Sequence, residues 1–238
     1  YRSYDHLDIT ALIRARGYHY CGFSTREIER LINSSDTGEV TRLYAEKEKE
    51  LRREIARKQR QIECLEEFRH LTEEAEKQLF RIRWGERPAL YRFEFMRDGE
   101  LLLRGREETV FRTWVQNTPM VFLSQMNSWE ELVQGRAQVT AALGVLAGDA
   151  ERLQLDTEYA VYYKPCPCLC TIVREQGNQL QPPKCLAHVI RYVREKKIRV
   201  TGNPIARTFL SLNKKEDYTR YRQVWIPAEE KSAGSGGL

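Results

Sequence analysis

From Glu39 to Trp84 the chain runs without Gly or Pro and is crowded with Lys, Arg and Glu. No other feature narrows the fold so far. Helix breakers are absent, long straight side chains of high helix propensity dominate, and opposite charges recur at spacings that pair along a helix surface. A helix of about 40 residues would be roughly 60 Å long. Such an element has no core of its own, so it needs something to pack against. Leu51, Ile55, Ile62 and Leu65 fit the d, a, a and d positions of one heptad frame, which Lys58 interrupts at d. This spacing predicts a dimerisation helix over residues 39–83. The competing reading is a charged single helix lying on its own domain.

Before it, Asp5 or Asp8 is placed to cap a helix over about Ile9–Tyr20, with Leu7, Leu12 and Ile13 on an apolar side and Gly22 at its end. Ser24 and Glu27 form a Ser-x-x-Glu capping box ahead of Ile28, Leu31 and Ile32. The turn-rich stretch Asn33–Gly38 then separates this helical hairpin, residues 1–36, from the long helix.

From Pro88 onward the pattern changes to strands. Leu90–Phe95 and Glu100–Leu103 flank Arg97-Asp98-Gly99, a strong hairpin turn signal. Glu107–Asn117 reads as a helix, followed by strands at Met120–Met126 and Ala137–Leu146. The same succession returns: extended segments at Tyr159–Tyr163 and Cys168–Val173, a helix over Lys184–Lys196, then strands at Ile205–Leu212 and Tyr221–Ile226. Residues 85–228 are therefore expected to form a duplicated β-α-β-β domain with both helices on one side of a pseudo-twofold sheet. The Gly- and Ser-rich residues 229–238 read as a disordered tail. The fold class is α+β.

A net charge of +5 is mild for a nucleic-acid binder, and basic residues alternate with acidic ones. No segment approaches the roughly 20 apolar residues of a membrane span, and no secretory pattern opens the chain. The six cysteines are too unevenly spaced for a disulfide framework. A soluble, cytoplasmic protein with reduced thiols is expected.

Three features in order carry a family resemblance: the opening Tyr1-Arg2-Ser3-Tyr4-Asp5, the Gly22-Phe23-Ser24-Thr25-Arg26-Glu27-Ile28 junction, and the long helix. Residues 1 to about 80 resemble the MerR family of transcription regulators, beginning at the second half of the winged-helix DNA-binding domain, with the recognition helix missing. The strand and helix succession, Gly202-Asn203-Pro204 before a strand, and the terminal Val224-Trp225-Ile226-Pro227 resemble the GyrI-like effector domain of multidrug-sensing members. The resemblance implies a homodimer on promoter DNA that acts indirectly on RNA polymerase. A small hydrophobic or aromatic effector would shift it between forms that hold the DNA relaxed or bent. It also implies that Arg2 and Tyr4 touch DNA phosphates, which position a protein without reading sequence.

Aromatic side chains on expected strands, Tyr91, Tyr163 and Trp225, together with Trp114, are candidate walls of the effector pocket. Multidrug-sensing members carry acids on the last two strands. Here Gln223 stands two before Trp225, and Arg207-Thr208-Phe209-Leu210 has no acid, so Arg207 and Gln223 become the candidate polar contacts for a neutral or anionic ligand. Cys166, Cys168 and Cys170 would share one strand face, where they either fill core or sense thiophilic metals and electrophiles. No nucleophile with an adjacent base is legible, so no enzyme, cofactor or bound metal is expected, although a small-molecule-binding or hydrolysing GyrI-like protein is the alternative.

Overall fold

The computed structural model describes residues 5–136, 139–177, 184–214 and 217–229. The phosphate-contacting candidates Arg2 and Tyr4, and the expected tail from residue 230, lie outside the described residues. Glu229, expected to begin that tail, instead pairs with Arg199 in a strand. The chain divides into two compact units, Tyr1–Glu63 and Cys64–Leu238.

In the first unit, Asp5 caps α1 (His6–Tyr20) and Asp8 closes the box by accepting from the Asp5 N–H at 3.1 Å. Gly22 takes φ +81, a left-handed conformation that suits glycine, and turns the chain into α2 (Thr25–Asn33). The Ser24–Glu27 box is formed, the Ser24 N–H donating to Glu27 Oε2 at 2.7 Å. Phe23, Leu31 and Leu43 make the core of this unit, with Tyr18, Ile28 and Val40 around them. The apolar side of α1 is not buried: Leu7, Leu12 and Ile13 are all exposed.

The long helix is α3 (Thr37–Gln78), which passes through the boundary between the units. It is followed by β1 (Arg83–Arg87), β2 (Leu90–Arg97), β3 (Glu100–Leu101), α4 (Arg106–Val115), β4 (Val121–Asn127), α5 (Trp129–Val133), β5 (Val139–Leu146), α6 (Ala147–Arg152) and β6 (Val161–Tyr163). Then come β7 (Cys166–Gln176), a short 3-10 turn at Lys184–Leu186, α7 (Ala187–Lys196), β8 (Arg199–Val200), β9 (Ile205–Lys214) and β10 (Asp217–Glu229). The β2–β3 turn has positive φ at both Asp98 and Gly99, the mirror-type turn whose twist matches an antiparallel hairpin.

The sheet order is β1-β7-β10-β9-β4-β5-β2-β3, antiparallel throughout, with β6 beside β2 and β8 beside β10. It is symmetric about the β4–β9 pairing, where Gln125 faces Ala206. α4 packs through Val110 and Trp114 on Phe93, Val121, Leu143 and Val145. α7 packs through Val189 and Val193 on Leu169, Ala206, Val224 and Ile226. Because strand neighbours alternate faces and Val121 shares parity with Gln125, both helices cover the same side.

Chain connectivity dictates the curvature. β1 and β2 lie six strand spacings apart along the sheet, about 29 Å if it were flat. Only Pro88 and Ala89 join them, and three Cα steps reach at most about 11 Å. The same holds for β6 and β7, joined by Lys164 and Pro165. The sheet therefore curls until its margins meet, and the face away from α4 and α7 becomes an inner face.

Candidate functional site

The inner face gathers residues from seven strands into one cluster. Leu90, Cys168, Cys170, Ile205 and Trp225 form its buried part, and Met126, Leu146 and Tyr163 pack against them. Leu90 pairs with Tyr163 across β2 and β6, and Trp225 with Cys170 across β10 and β7, so strand register alone places these side chains on one surface. Of the residues proposed from sequence, Tyr163, Trp225, Arg207 and Gln223 are brought to this face. Tyr91 and Trp114 are not. Leu90 points inward, so its neighbour Tyr91 must point toward α4, where it meets Tyr162 at 5.1 Å between ring centroids. Trp114 is fully buried beside Phe93, and its indole N–H donates to the Asp156 carbonyl at 2.9 Å; it is core of the helix side.

The last turns of α3 lie against this inner face. Glu67 takes a forked ion pair from Arg207, Nη1 to Oε1 at 2.7 Å and Nη2 to Oε2 at 3.3 Å. The Arg207 guanidinium lies between the rings of Phe68, 4.9 Å away, and Phe122, 4.8 Å away. Stacking on aromatic faces and bidentate pairing are the two contacts that arginine's planar fork makes best. Further along, Tyr221 donates to Glu76, which also accepts from Arg174 Nη1 at 3.2 Å, while Leu71, Ala75 and Leu79 pack with Ile172 and Phe209. The carboxylate that meets Arg207 thus comes from the helix and not from a strand. Sequence reasoning missed Glu67 because in a helix so rich in Glu nothing distinguishes it.

Two further arginines were missed. Arg92 is 2% exposed and inward-facing; its Nε donates to Ser124 Oγ at 3.0 Å, its Nη2 to Thr140 O and Oγ1 at 3.3 Å, and its Nη1 to Met126 Sδ at 3.6 Å. Arg87 is 6% exposed, lies 5.4 Å over the Tyr163 ring, and donates Nη2 to the Lys164 carbonyl at 2.7 Å. In sequence, Arg92 between Tyr91 and Phe93 reads as the outward member of a half-buried strand. The curl of the sheet turns that outward face inward.

Cys166, Cys168 and Cys170 share the inner face by alternation, with Cys168 Sγ and Cys170 Sγ 3.5 Å apart. The hydrogen bond with Cys170, reinforced by burial, pushes the Cys168 thiol well above its ordinary range, and burial raises Cys166. Accepting that bond lowers Cys170. Among the described residues no three His, Cys, Asp or Glu side chains are grouped to hold a metal ion. Cys185 is pushed up to about 12 by burial. His188 is not a free surface group: its Nε2 lies 3.1 Å from Thr171 Oγ1, its ring meets Phe80 edge-on, and burial lowers its pKa. Thr171 is itself 4% exposed beneath α7, so this contact presents no hydroxyl to a substrate. Gln223 borders a crevice of about 10 Å³ with Gln78, Arg83 and Cys170, room for one water at most.

On α3, Leu51, Ile55, Ile62 and Leu65 are 39%, 68%, 50% and 61% exposed. No described helix is long and apolar enough to cross a membrane.

No protein-family model matches this sequence, and no curated protein does. Among solved structures, the chain is similar to the EcmrR C-terminal domain at 9% identity and a TM-score of 0.40, covering 63% of this chain and 98% of that one. It is also similar to EcmrR in a cryo-EM complex with DNA, at 12% identity and 0.38, covering 97% and 86%. A hydrolase from Listeria innocua aligns at 12% identity and 0.39, covering 67% and 98%. Superpositions this loose fix neither fold nor function, so the chain's own strand pairing and side-chain geometry carry the reading.

Proposed function

We propose that this chain is a ligand-responsive transcription regulator of the MerR type. It acts as a homodimer through α3 and binds a small aromatic effector on the inner face of its sheet. The observation that carries this reading is the continuity of α3. One unbroken helix bears an uncovered Leu and Ile stripe along its middle, and its end is clamped to the inner face by Glu67, Phe68 and Glu76. In this reading, an effector on that face acts on the same helix that would pair the protomers. Ligand can drive such a switch only by its difference in affinity for two states, and the clamp supplies a contact that differs between them.

The aromatic wall of Trp225 and Tyr163 suits a planar hydrophobic ligand. The opening motif at Arg2 and Tyr4 supports a DNA-bound role, with promoter DNA as partner and RNA polymerase reached through it. Catalysis is no part of the proposal. The Cys168–Cys170 contact favours thiol sensing as the second reading.

Light scattering on the chain tests the dimer. The expected mass is twice that of one chain, falling to one chain when Ile55→Asp and Ile62→Asp are combined. A parent that stays monomeric at micromolar concentration contradicts the reading, and a dimer untouched by both substitutions removes α3 as its basis.

A further inference from the structure

Four guanidinium groups are buried among the described residues of the Cys64–Leu238 unit: Arg87, Arg92, Arg207 and Arg222. Two of them follow the rule that a buried charge meets its opposite. Arg207 pairs with Glu67 at 2.7 Å and Arg222 with Glu175 at 2.5 Å. Arg87 and Arg92 do not, since among the described residues no carboxylate lies within ion-pair distance of either. Arg92 is met only by hydroxyls, one carbonyl and a thioether. Arg87 has one carbonyl, and its Nε is buried without a partner. An arginine keeps its proton in practice, so each site holds a buried positive charge with no carboxylate in contact, Glu94 acting on Arg92 only from beyond ion-pair distance.

The two groups converge on Tyr163 and Met126. Arg87 lies over the Tyr163 ring, while Tyr163 Oη and Arg92 Nη1 both contact Met126 Sδ at 3.6 Å. Tyr163 and Met126 are only partly buried, and both belong to the cluster containing Trp225, Ile205 and Leu90. Two cations thus border an apolar, aromatic wall, closed by an unbranched methionine that moves easily.

We propose that the inner face at Arg87, Arg92 and Tyr163 is a receptor for a planar aromatic carboxylate, the carboxylate held by the two guanidiniums and the ring seated against Trp225 and Met126. This deepens the effector reading and rests on it. A cation would meet two buried positive charges with no carboxylate in contact with either. A multiply charged phosphate would leave the apolar wall unmatched. A single carboxylate on a ring satisfies both, with the forked geometry that arginine favours.

Isothermal titration of the full chain with 1-naphthoate, 1-naphthamide and 1-naphthylmethylammonium holds the ring constant and varies charge, with acetate and inorganic phosphate as ions lacking the ring. The expected result is saturable binding of naphthoate at roughly tenfold or higher affinity than the amide, and none of the cation. Arg92→Lys is expected to weaken naphthoate roughly tenfold while changing the amide less than about twofold, because lysine cannot fork. If Arg92→Lys does not fold by circular dichroism, Arg87→Gln at the sheet margin gives the same reading. Equal binding of amide and carboxylate, or preference for the cation, overturns the anion receptor and leaves an aromatic effector site standing. Binding of acetate or phosphate as tight as naphthoate overturns the role of the ring. If no naphthyl compound binds the folded chain, the effector reading itself fails.

Discussion

Replacing Glu67 by glutamine tests the clamp between α3 and the sheet. The fork from Arg207 is a pair of charge-assisted bonds, and Arg207 is 2% exposed with its Nε already lacking a partner. Breaking a fully buried ion pair by removing one partner costs about 3–5 kcal/mol. The Glu67 side chain is 39% exposed, which screens the pair, and the amide of the variant keeps one acceptor oxygen; both reduce the loss to about 2 kcal/mol. For a unit of this size, that lowers Tm by roughly 4–8 °C. The assay is calorimetric melting with a urea titration beside it. Glu73→Gln is the control, because its pair with Arg69 is exposed on both sides and is worth about 0–1 kcal/mol. Adding Arg207→Met to Glu67→Gln is expected to recover part of the loss, since the stranded charge goes with it. A Glu67→Gln protein within about 0.5 kcal/mol of its parent, or no worse than Glu73→Gln, refutes the clamp.

Gly144→Ala should destabilise by about 1–3 kcal/mol through overpacking, because a Cβ there would collide with Phe122 Cε2 and push that ring off Arg207; urea unfolding reads it, and a neutral result means Phe122 yields freely. Trp114→Phe should cost about 1–3 kcal/mol by losing its bond to the Asp156 carbonyl and leaving space, yet leave naphthyl affinity unchanged, as it faces away from the inner surface. Weakened ligand binding would place it in the site after all. His188 has its folded-state pKa lowered from 6.5 by burial, so the unfolded chain binds the proton more readily. Stability is then undiminished above the unfolded pKa and lost as pH falls through it toward the folded value. His188→Gln should flatten that decline in melts taken across the range, and parallel slopes would contradict it.

Local signals in the sequence were strong where a residue's own chemistry decides. The absence of breakers after Glu39, the Ser24–Glu27 box and the Asp98-Gly99 turn each specify backbone directly. Alternation likewise placed the three cysteines on one face, while Tyr163 and Trp225 were legible only as aromatics on strands. Tyr91 shows where this stops. A strand covered on both faces carries apolar or aromatic residues on each, and choosing its inner side needs the partner register of Leu90 with Tyr163. Arg87 and Arg92 are illegible for a different reason. Their burial arises from the curl imposed by the two-residue links at Pro88-Ala89 and Lys164-Pro165, a property of strand order that no single segment encodes. Glu67 meets Arg207 across 140 positions of sequence, so neither residue announces the other.

Hydrogen–deuterium exchange of the full chain, with and without saturating 1-naphthoate, measures most directly whether the inner face and α3 act as one device. The account predicts slowed exchange in β1, β7 and β10 together with a changed rate in α3 from Cys64 to Gln78. Protection of the strands with α3 unmoved, or of neither, would contradict it.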